Sequence, residues 1–146
     1  MNKGRCVFKV SAANNQNDTD TIRPELAEMI KRHSYGLDEN RPEVVAQREQ
    51  TNQRTARANV MDLCDPDSFI EYGALAIAAQ RGRRSEEDLR ARTPADGIIT
   101  GIGSINGSLF GKEKTRCAIL AYDYSVLAGT QGYFNHRKKD RMLRIA

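Results

Sequence analysis

The residues best suited to chemistry in this chain form a short glycine-containing loop. Gly129-Thr130-Gln131-Gly132 lies between an apolar run and a basic segment that begins at Tyr133. If that segment is a helix, the backbone N–H groups at its start would attract an anion, and the glycines would allow close approach. The loop therefore predicts a place for a phosphate or a thioester oxygen. A plain, tight strand-to-helix connection is the alternative.

His33, His136 and Asp123 do not form a recognisable catalytic group or metal site. The histidines are far apart in sequence, and neither has a Cys or a carboxylate at metal-ligand spacing. Asp123 follows an apolar run, where catalytic carboxylates can lie, although satisfying a turn is the commoner role. The residues alone therefore predict no catalytic residue and no metal ligand.

Three glycines, Gly101, Gly103 and Gly107, invite comparison with the dinucleotide-binding fingerprint. The spacing is wrong, because Asn106 stands at the sixth position of G-x-G-x-x-G. The glycines also lie within and after a strand pattern, where glycine more often marks a bulge or a close backbone approach. We therefore interpret them as marking a bulge or a close backbone approach, and not as a dinucleotide-binding loop.

Helical patterns fill the first part of the chain after a polar tail. Pro24 predicts the start of a short amphipathic helix that ends at Tyr35-Gly36, and Pro42 predicts a second helix that runs to about Leu63. Its middle, residues 47–55, is polar on all sides. That pattern indicates either a helix lying across another surface or an exposed, partly frayed helix.

Strand patterns dominate the later part of the chain. The β-branched run 98–105 ends at Asn106-Gly107, which is the strongest short hairpin signal. Residues 117–122 are apolar on both faces and predict a buried central strand. A basic helix over residues 133–146 follows, so the order of elements predicts an α/β layer.

Composition limits the size and class of the protein without specifying its function. The 146 residues carry a net charge of +4, with 39% hydrophobic and 29% charged residues, enough for one domain with a modest core. The basic cluster Arg81-Gly82-Arg83-Arg84 is short and is interpreted as a solvated loop. No basic stripe is interleaved with aromatic residues, which counts against nucleic-acid binding. A small basic nucleic-acid-binding protein remains an alternative from composition alone.

Cysteine usage and hydropathy indicate the compartment. Cys6, Cys64 and Cys117 are odd in number and widely spaced, and no CxxC pair exists to build a zinc ribbon. The sequence shows no signal peptide and no apolar run long enough to cross a membrane. We expect a reduced, cytoplasmic compartment.

Four segments resemble the carboxyltransferase (β) subunit family of biotin-dependent acyl-CoA carboxylases. In chain order they are residues 65–73, 96–107, 123–132 and 136–146. Four matches in the right order are far more specific than any single match. Two departures stand out: Ala128-Gly129 replaces the family's Gly-Gly, and residues 110–116 lengthen the hairpin.

The resemblance implies a fold and a division of the chain. The fold class is α/β, a partial crotonase-like (ββα superhelix) carboxyltransferase N-domain preceded by a helical arm. We expect a flexible tail at residues 1–21 and the arm at residues 22–64. Residues 65–146 would be the N-terminal part of the crotonase-like domain, truncated.

The resemblance also implies an activity. The family moves a carboxyl group from carboxybiotin to the α-carbon of acetyl-CoA or propionyl-CoA, through an enolate that backbone N–H groups stabilise. The coenzyme A thioester is the substrate, and biotin is carried by a partner, a biotin carboxylase or biotin carboxyl carrier subunit. We expect a homo-oligomer, no metal, no nucleic acid and no membrane. The loop Gly129–Gly132 is the element that we expect to face CoA.

The family's oxyanion-hole turn and its biotin-binding half lie beyond Ala146, so we expect this fragment alone to be inactive. Two alternative functions are also compatible with part of this resemblance. One is a non-catalytic acyl-CoA-binding or assembly protein, and the other is an acyl-CoA decarboxylase subunit.

Overall fold

The computed structural model describes residues 22–111 and 113–146, and the predicted flexible tail, residues 1–21, lies outside this part. Two helices of the arm begin at a proline, which suits the first helical position because no N–H is left unpaired there. The helices of the arm are α1 (Pro24–Ser34), α2 (Pro42–Gln50) and α3 (Ala56–Leu63), with a 3₁₀ turn at Asp38–Asn40.

The prediction of one helix over residues 42–63 is wrong, because the chain breaks after α2. Asn52 adopts a left-handed conformation with φ of 54°. The next helix restarts at Thr55, whose hydroxyl accepts a hydrogen bond from the Ala58 N–H at 2.9 Å. Such an N-cap is worth about 1 kcal/mol. The polar residues 47–55 are therefore a helix end, a turn and a new cap.

Residues beyond the arm form one antiparallel sheet and three helices. Their elements are β1 (Ile70–Tyr72), α4 (Glu86–Arg92), β2 (Ile98–Ser104), α5 (Gly107–Phe110), β3 (Arg116–Tyr122) and α6 (Tyr133–Ile145). The strand order is β1–β2–β3, and every neighbouring pair is antiparallel. Most of β2 is buried, as its β-branched composition favours.

Different helices cover the two faces of this sheet. Ile99 of β2 packs with Val60 of α3 and with Ile119 of β3 in the main core cluster. Thr100, the next residue of β2, points to the opposite face, since side chains alternate along a strand. That face lies against α6, whose Met142 is 1% exposed. The sheet is thus held between the arm and α6.

Gly101 and Gly103 of β2 permit close approach on the α3 side of the sheet. A β-carbon on Gly101 would lie 2.2 Å from the carbonyl oxygen of Ile70, and one on Gly103 would lie 2.7 Å from the Cys64 Sγ. Neither distance is possible between real atoms. The interpretation of these glycines as points of close approach is confirmed.

The Asn106-Gly107 pair does not form the tight hairpin turn that the sequence predicts. Asn106 is left-handed, with φ of 56°, and leads into α5 instead. The Gly107 N–H donates a hydrogen bond to the Asp65 carboxylate at 2.8 Å. The hairpin itself forms, but its connection runs from Ile105 to Thr115, because a distant carboxylate redirects the chain after Asn106.

β3 is an edge strand within the described residues, so the prediction of a buried central strand is wrong. Its neighbour β2 takes the central position. Only Ile119 of β3 is fully buried. Residues 117–122 are apolar on both faces because the arm covers one face of the sheet and α6 covers the other. A strand that is apolar on both faces can therefore be either central or at an edge.

The succession β2, β3 and α6 forms a ββα unit. It is the arrangement that the resemblance implies for residues 96–146, in which two strands feed a helix that packs back on them. That prediction is confirmed.

Candidate functional site

The predicted ligand loop, Gly129–Gly132, joins β3 to α6 through a strained turn. Leu127 and Ala128 adopt left-handed conformations with φ of 49° and 52°, and the first glycine of the loop follows at 74°. Such conformations cost roughly 1–3 kcal/mol at each non-glycine residue and tend to cluster near functional sites. The two middle residues of the loop are exposed and its two glycines are half-buried.

A carboxylate from the same chain occupies the start of α6. Asp96 Oδ2 accepts a hydrogen bond from the Asn135 N–H at 2.8 Å, and both carboxylate oxygens lie 2.6 Å from where a Gly132 β-carbon would stand. Burial raises the pKa of Asp96, while hydrogen bonds from the Asn135 and Phe134 N–H groups oppose that rise. A carboxyl group of the chain itself therefore already binds the start of α6, and a ligand at the loop would have to use other groups.

A lysine on α6 supports the turn that carries Asp96. Lys138 Nζ donates hydrogen bonds to the carbonyl oxygens of Ala95 and Ile98, at 2.9 Å and 2.5 Å. Ala95 and Asp96 are both left-handed, with φ of 55° and 50°. Burial lowers the pKa of Lys138 to about 8. The amine thus positions a strained backbone segment.

Asp123 anchors the arm to the end of β3. Its Oδ2 accepts a hydrogen bond from Arg41 at 2.8 Å, and its Oδ1 accepts one from the Ser125 N–H at 3.0 Å. Burial alone would raise the pKa of Asp123, but hydrogen bonds from Ser125 and the charge of Arg41 hold it below its usual value. Of the two predicted roles, satisfying a turn is the one that these contacts display.

A cleft of about 680 Å³ opens between the arm, α4 and the loop that follows β3. Its size is within the range of roughly 300–1,000 Å³ that is typical of ligand sites. The lining residues are 40–44, Arg84, 91–93, Ser125 and Leu127. The cleft ends at Leu127, two residues before the predicted ligand loop, so the two features are adjacent.

Two arginines at this cleft share one carboxylate. Arg84 and Arg92 lie 2.9 Å and 2.7 Å from separate oxygens of Asp88, and their side chains are 43% and 68% exposed. The hydrogen bond from Arg84 lowers the pKa of Asp88, and the charge of Arg92 lowers it further. Glu43, on the arm, supplies an opposing negative charge. Arg84 and Arg92 exceed Asp88 by one positive charge, and the negative charge of Glu43 offsets that excess.

The two histidines lie apart and neither lines the cleft, although His136 contacts the last residue of the candidate loop. His33 Nε2 is 3.9 Å from Glu71 Oε2, and His136 Nδ1 is 3.0 Å from the Gly132 carbonyl oxygen. In the described part of the chain, no three His, Cys, Asp or Glu side chains are grouped so that they could hold a metal ion. No helix there has the length and apolar character needed to cross a membrane.

A family model described as the carboxyl transferase domain matches residues 47–146, which include the end of the arm, the whole sheet and α6. The chain belongs to the carboxyl transferase family. The resemblance in the four sequence segments is confirmed by this match.

Relatives in this family are several times longer than the matched region. The chain is 32% identical over 123 residues to the biotin-dependent long chain acyl-coenzyme A carboxylase beta4 subunit of Mycobacterium tuberculosis, covering 84% of this chain and 21% of that protein. It is 28% identical over 130 residues to the propionyl-CoA carboxylase beta chain of Saccharopolyspora erythraea, covering 88% and 22%. The chain spans about a fifth of the length of the curated relatives it matches.

Solved structures agree on the fold. A single-chain, multi-domain long-chain acyl-CoA carboxylase matches at a TM-score of 0.83 and 55% identity, covering 86% of this chain and 13% of that one. Transcarboxylase 12S matches at a TM-score of 0.64 and 23% identity, covering 90% and 24%, and shows the fold alone. The α/β, crotonase-like class with a preceding arm is confirmed.

The cleft in this carboxyl transferase chain was not predicted from sequence. Arg84 belongs to the basic cluster interpreted as a solvated loop, and its pairing with Asp88 agrees with that interpretation. The sequence carries only a local signal. Arg84, just before the N-cap Ser85, and Arg92, at the end of α4, are each four residues from Asp88. The cleft itself needs Arg41 and Asp123, 82 positions apart, to meet, and no local pattern reports that contact.

Proposed function

We propose that this chain forms the acyl-CoA-binding, N-terminal part of a carboxyltransferase that moves a carboxyl group from carboxybiotin to the α-carbon of acetyl-CoA or propionyl-CoA. The observation that carries the reaction class is the 55% identity to a long-chain acyl-CoA carboxylase at a TM-score of 0.83, over 86% of the chain. The short acyl group is supported by the similarity to a propionyl-CoA carboxylase beta chain. The family match over residues 47–146 supports the same reaction class. Residues 65–146 would be the first part of the catalytic domain, and residues 22–64 its arm.

The carboxylated biotin of a partner, a biotin carboxylase or biotin carboxyl carrier subunit, would supply the carboxyl group, and carboxyltransferase subunits would assemble as a homo-oligomer. This chain would bind and orient the thioester. Asp96 and Lys138 hold the backbone on which the loop Gly129–Gly132 rests. Carboxyl transfer also needs N–H donors for the enolate oxygen. Asp96 occupies those at the start of α6, so the chain alone would position its ligand without turning it over.

The phosphates of CoA are proposed to lie in the cleft beside the loop. Arg92 is the more exposed of the two arginines that share Asp88, and guanidinium groups bind phosphate in a forked geometry. Glu43 lines the same cleft, and its negative charge would repel a phosphate. Binding would therefore depend on these two side chains in opposite senses.

Calorimetric titration of the full chain with propionyl-CoA tests this arrangement. We expect Arg92→Gln to weaken binding by about tenfold, equivalent to the loss of about 1.4 kcal/mol, and Glu43→Gln to strengthen it. The matched control is Arg81→Gln, because Arg81 is 69% exposed, pairs with Glu86 and does not line the cleft. If all three variants bind like the wild-type chain, the phosphates do not lie in the cleft.

Decarboxylation of malonyl-CoA or methylmalonyl-CoA tests the positioning role. The purified chain should give no turnover at concentrations where it binds propionyl-CoA. Measurable turnover would contradict a positioning role, and failure to bind any CoA thioester would contradict the proposed function itself.

A further inference from the structure

Two thiols from distant parts of the chain meet beside Gly103. Cys64 follows α3 and is 7% exposed, and its Sγ lies 2.7 Å from where a Gly103 β-carbon would stand. Gly103 is paired in register with Cys117 of β3. Directly paired residues place their side chains on the same face, with β-carbons about 4.5–5.5 Å apart. The missing side chain of Gly103 therefore leaves a space that the two cysteines share.

The packing of the core agrees with this placement. Cys117 packs against the cluster that contains Cys64, Val60 and Ile119. Both sulfur atoms are present as free thiols. Burial raises the pKa of Cys64, and the charges of Asp65 and Cys117 add to that rise, as expected for neighbouring ionisable groups.

The two cysteines differ in access. Cys117 is half-buried and its thiol donates a hydrogen bond to the Thr115 carbonyl oxygen at 3.5 Å, whereas Cys64 is buried. A reagent from solvent therefore meets Cys117 first. Cys64 can react only with a sulfur that is already inside the core.

We propose that Cys64 and Cys117 form a thiol pair that a small-molecule disulfide oxidises to an intramolecular disulfide. The Cys117 thiolate attacks the reagent, which forms a mixed disulfide and releases one reagent thiolate. The Cys64 thiolate then attacks the Cys117 sulfur and releases the second. Two protein thiols are oxidised, one reagent disulfide is reduced, and the two cysteine protons pass to the released thiolates.

The new bond would join the end of the arm to an edge strand. Cys64 directly follows α3, and Cys117 lies near the start of β3, with β1, α4, β2 and α5 in the sequence between them. Closing so long a loop restricts the unfolded chain and stabilises the folded one. The midpoint of urea unfolding should therefore rise on oxidation and return to its starting value after dithiothreitol.

The test is oxidation of the folded full chain with excess oxidised glutathione, in a Cys6→Ser background that removes the third thiol. Peptide mapping without reduction should find one cross-linked peptide that contains Cys64 and Cys117. Cys64→Ser in this background should stop at a glutathione adduct on Cys117. Cys117→Ser should give neither product, because the buried Cys64 thiol is out of reach.

Two outcomes would overturn the pair. One is a stable glutathione adduct on Cys117 with no cross-link in the Cys6→Ser chain. The other is cross-linking that occurs only in urea, where the folded placement is lost. Circular dichroism of each variant shows whether the fold is retained. If one of the two serine variants does not fold, the product expected from the other still tests the pair.

Discussion

The Asp96 carboxylate fills the space that a side chain on Gly132 would occupy. Both of its oxygens lie 2.6 Å from the position of a Gly132 β-carbon, and one of them accepts the Asn135 N–H at 2.8 Å. The glycine and the aspartate therefore act together: the first removes an obstacle at the start of α6, and the second satisfies the N–H groups that the helix leaves free. The loop predicted to face a ligand is shaped by this internal contact.

Gly132→Ala should destabilise the fold, because the added methyl group would displace the Asp96 carboxylate. We expect a loss of about 1–3 kcal/mol in the free energy of unfolding, typical of overpacked sites. Urea unfolding followed by circular dichroism measures it. Gly82→Ala is the matched control, since nothing lies within 4 Å of its β-carbon position. Equal stabilities of the two variants would contradict the close packing.

The arm is held to β1 by a buried ion pair. Arg57 donates to both oxygens of Glu71, at 2.9 Å and 3.3 Å, and to the Gly36 carbonyl oxygen at 2.8 Å. Arg57→Met should cost roughly 3–5 kcal/mol, because it leaves the Glu71 carboxylate buried without its main partner. Urea unfolding gives this value, and adding Glu71→Gln should recover part of the loss.

An exposed pair between α3 and the residue before its N-cap provides the control for Arg57. Arg54 and Asp62 are 2.9 Å apart, but their side chains are 52% and 66% exposed. Arg54→Met should therefore cost no more than about 1 kcal/mol. Similar losses for Arg54→Met and Arg57→Met would show that burial does not set the strength of these pairs.

Attachment of α2 should depend on Arg41. No residue of α2 is fully buried, so the bonds from Arg41 to Asp123 and Ser125 are its main polar link to the sheet. In Arg41→Gln, amide hydrogens of residues 42–50 should exchange faster while those of α6 keep their wild-type rates. Arg23→Gln, at an exposed position before α1, should change neither set. Uniform acceleration in both helices would indicate global destabilisation instead.

Local patterns were sufficient to predict most elements of the fold. Pro24 and Pro42 mark two helix starts because proline suits the first turn, and the β-branched run that begins at Ile98 predicts the strand β2, although not its central position. The ordered family segments predicted the ββα unit. These features depend on residues close together in sequence.

Contacts between distant residues explain what the sequence did not predict. Asp65 binds the Gly107 N–H and turns the chain away from a two-residue hairpin. Asp96 takes the start of α6, although the glycine loop before that helix suggested a free anion site. In both cases a carboxylate from another segment satisfies backbone groups whose partner no local pattern could identify.

Lys138 should give the protein an unusual alkaline pH dependence. Its pKa falls from 10.5 to about 8 because the amine is buried against Ala95 and Ile98. The folded chain then holds this proton less tightly than the unfolded chain does, so stability rises as pH increases from about 8 to 10.5. Across that range, the lowered pKa should raise the free energy of unfolding by roughly 3 kcal/mol.

Lys138→Met removes the titrating group. Urea unfolding between these pH values should therefore show the free energy of unfolding of the wild-type chain rising relative to that of Lys138→Met. Lys139→Met, one position along α6, should keep the wild-type slope, whereas parallel slopes for wild type and Lys138→Met would refute the lowered pKa.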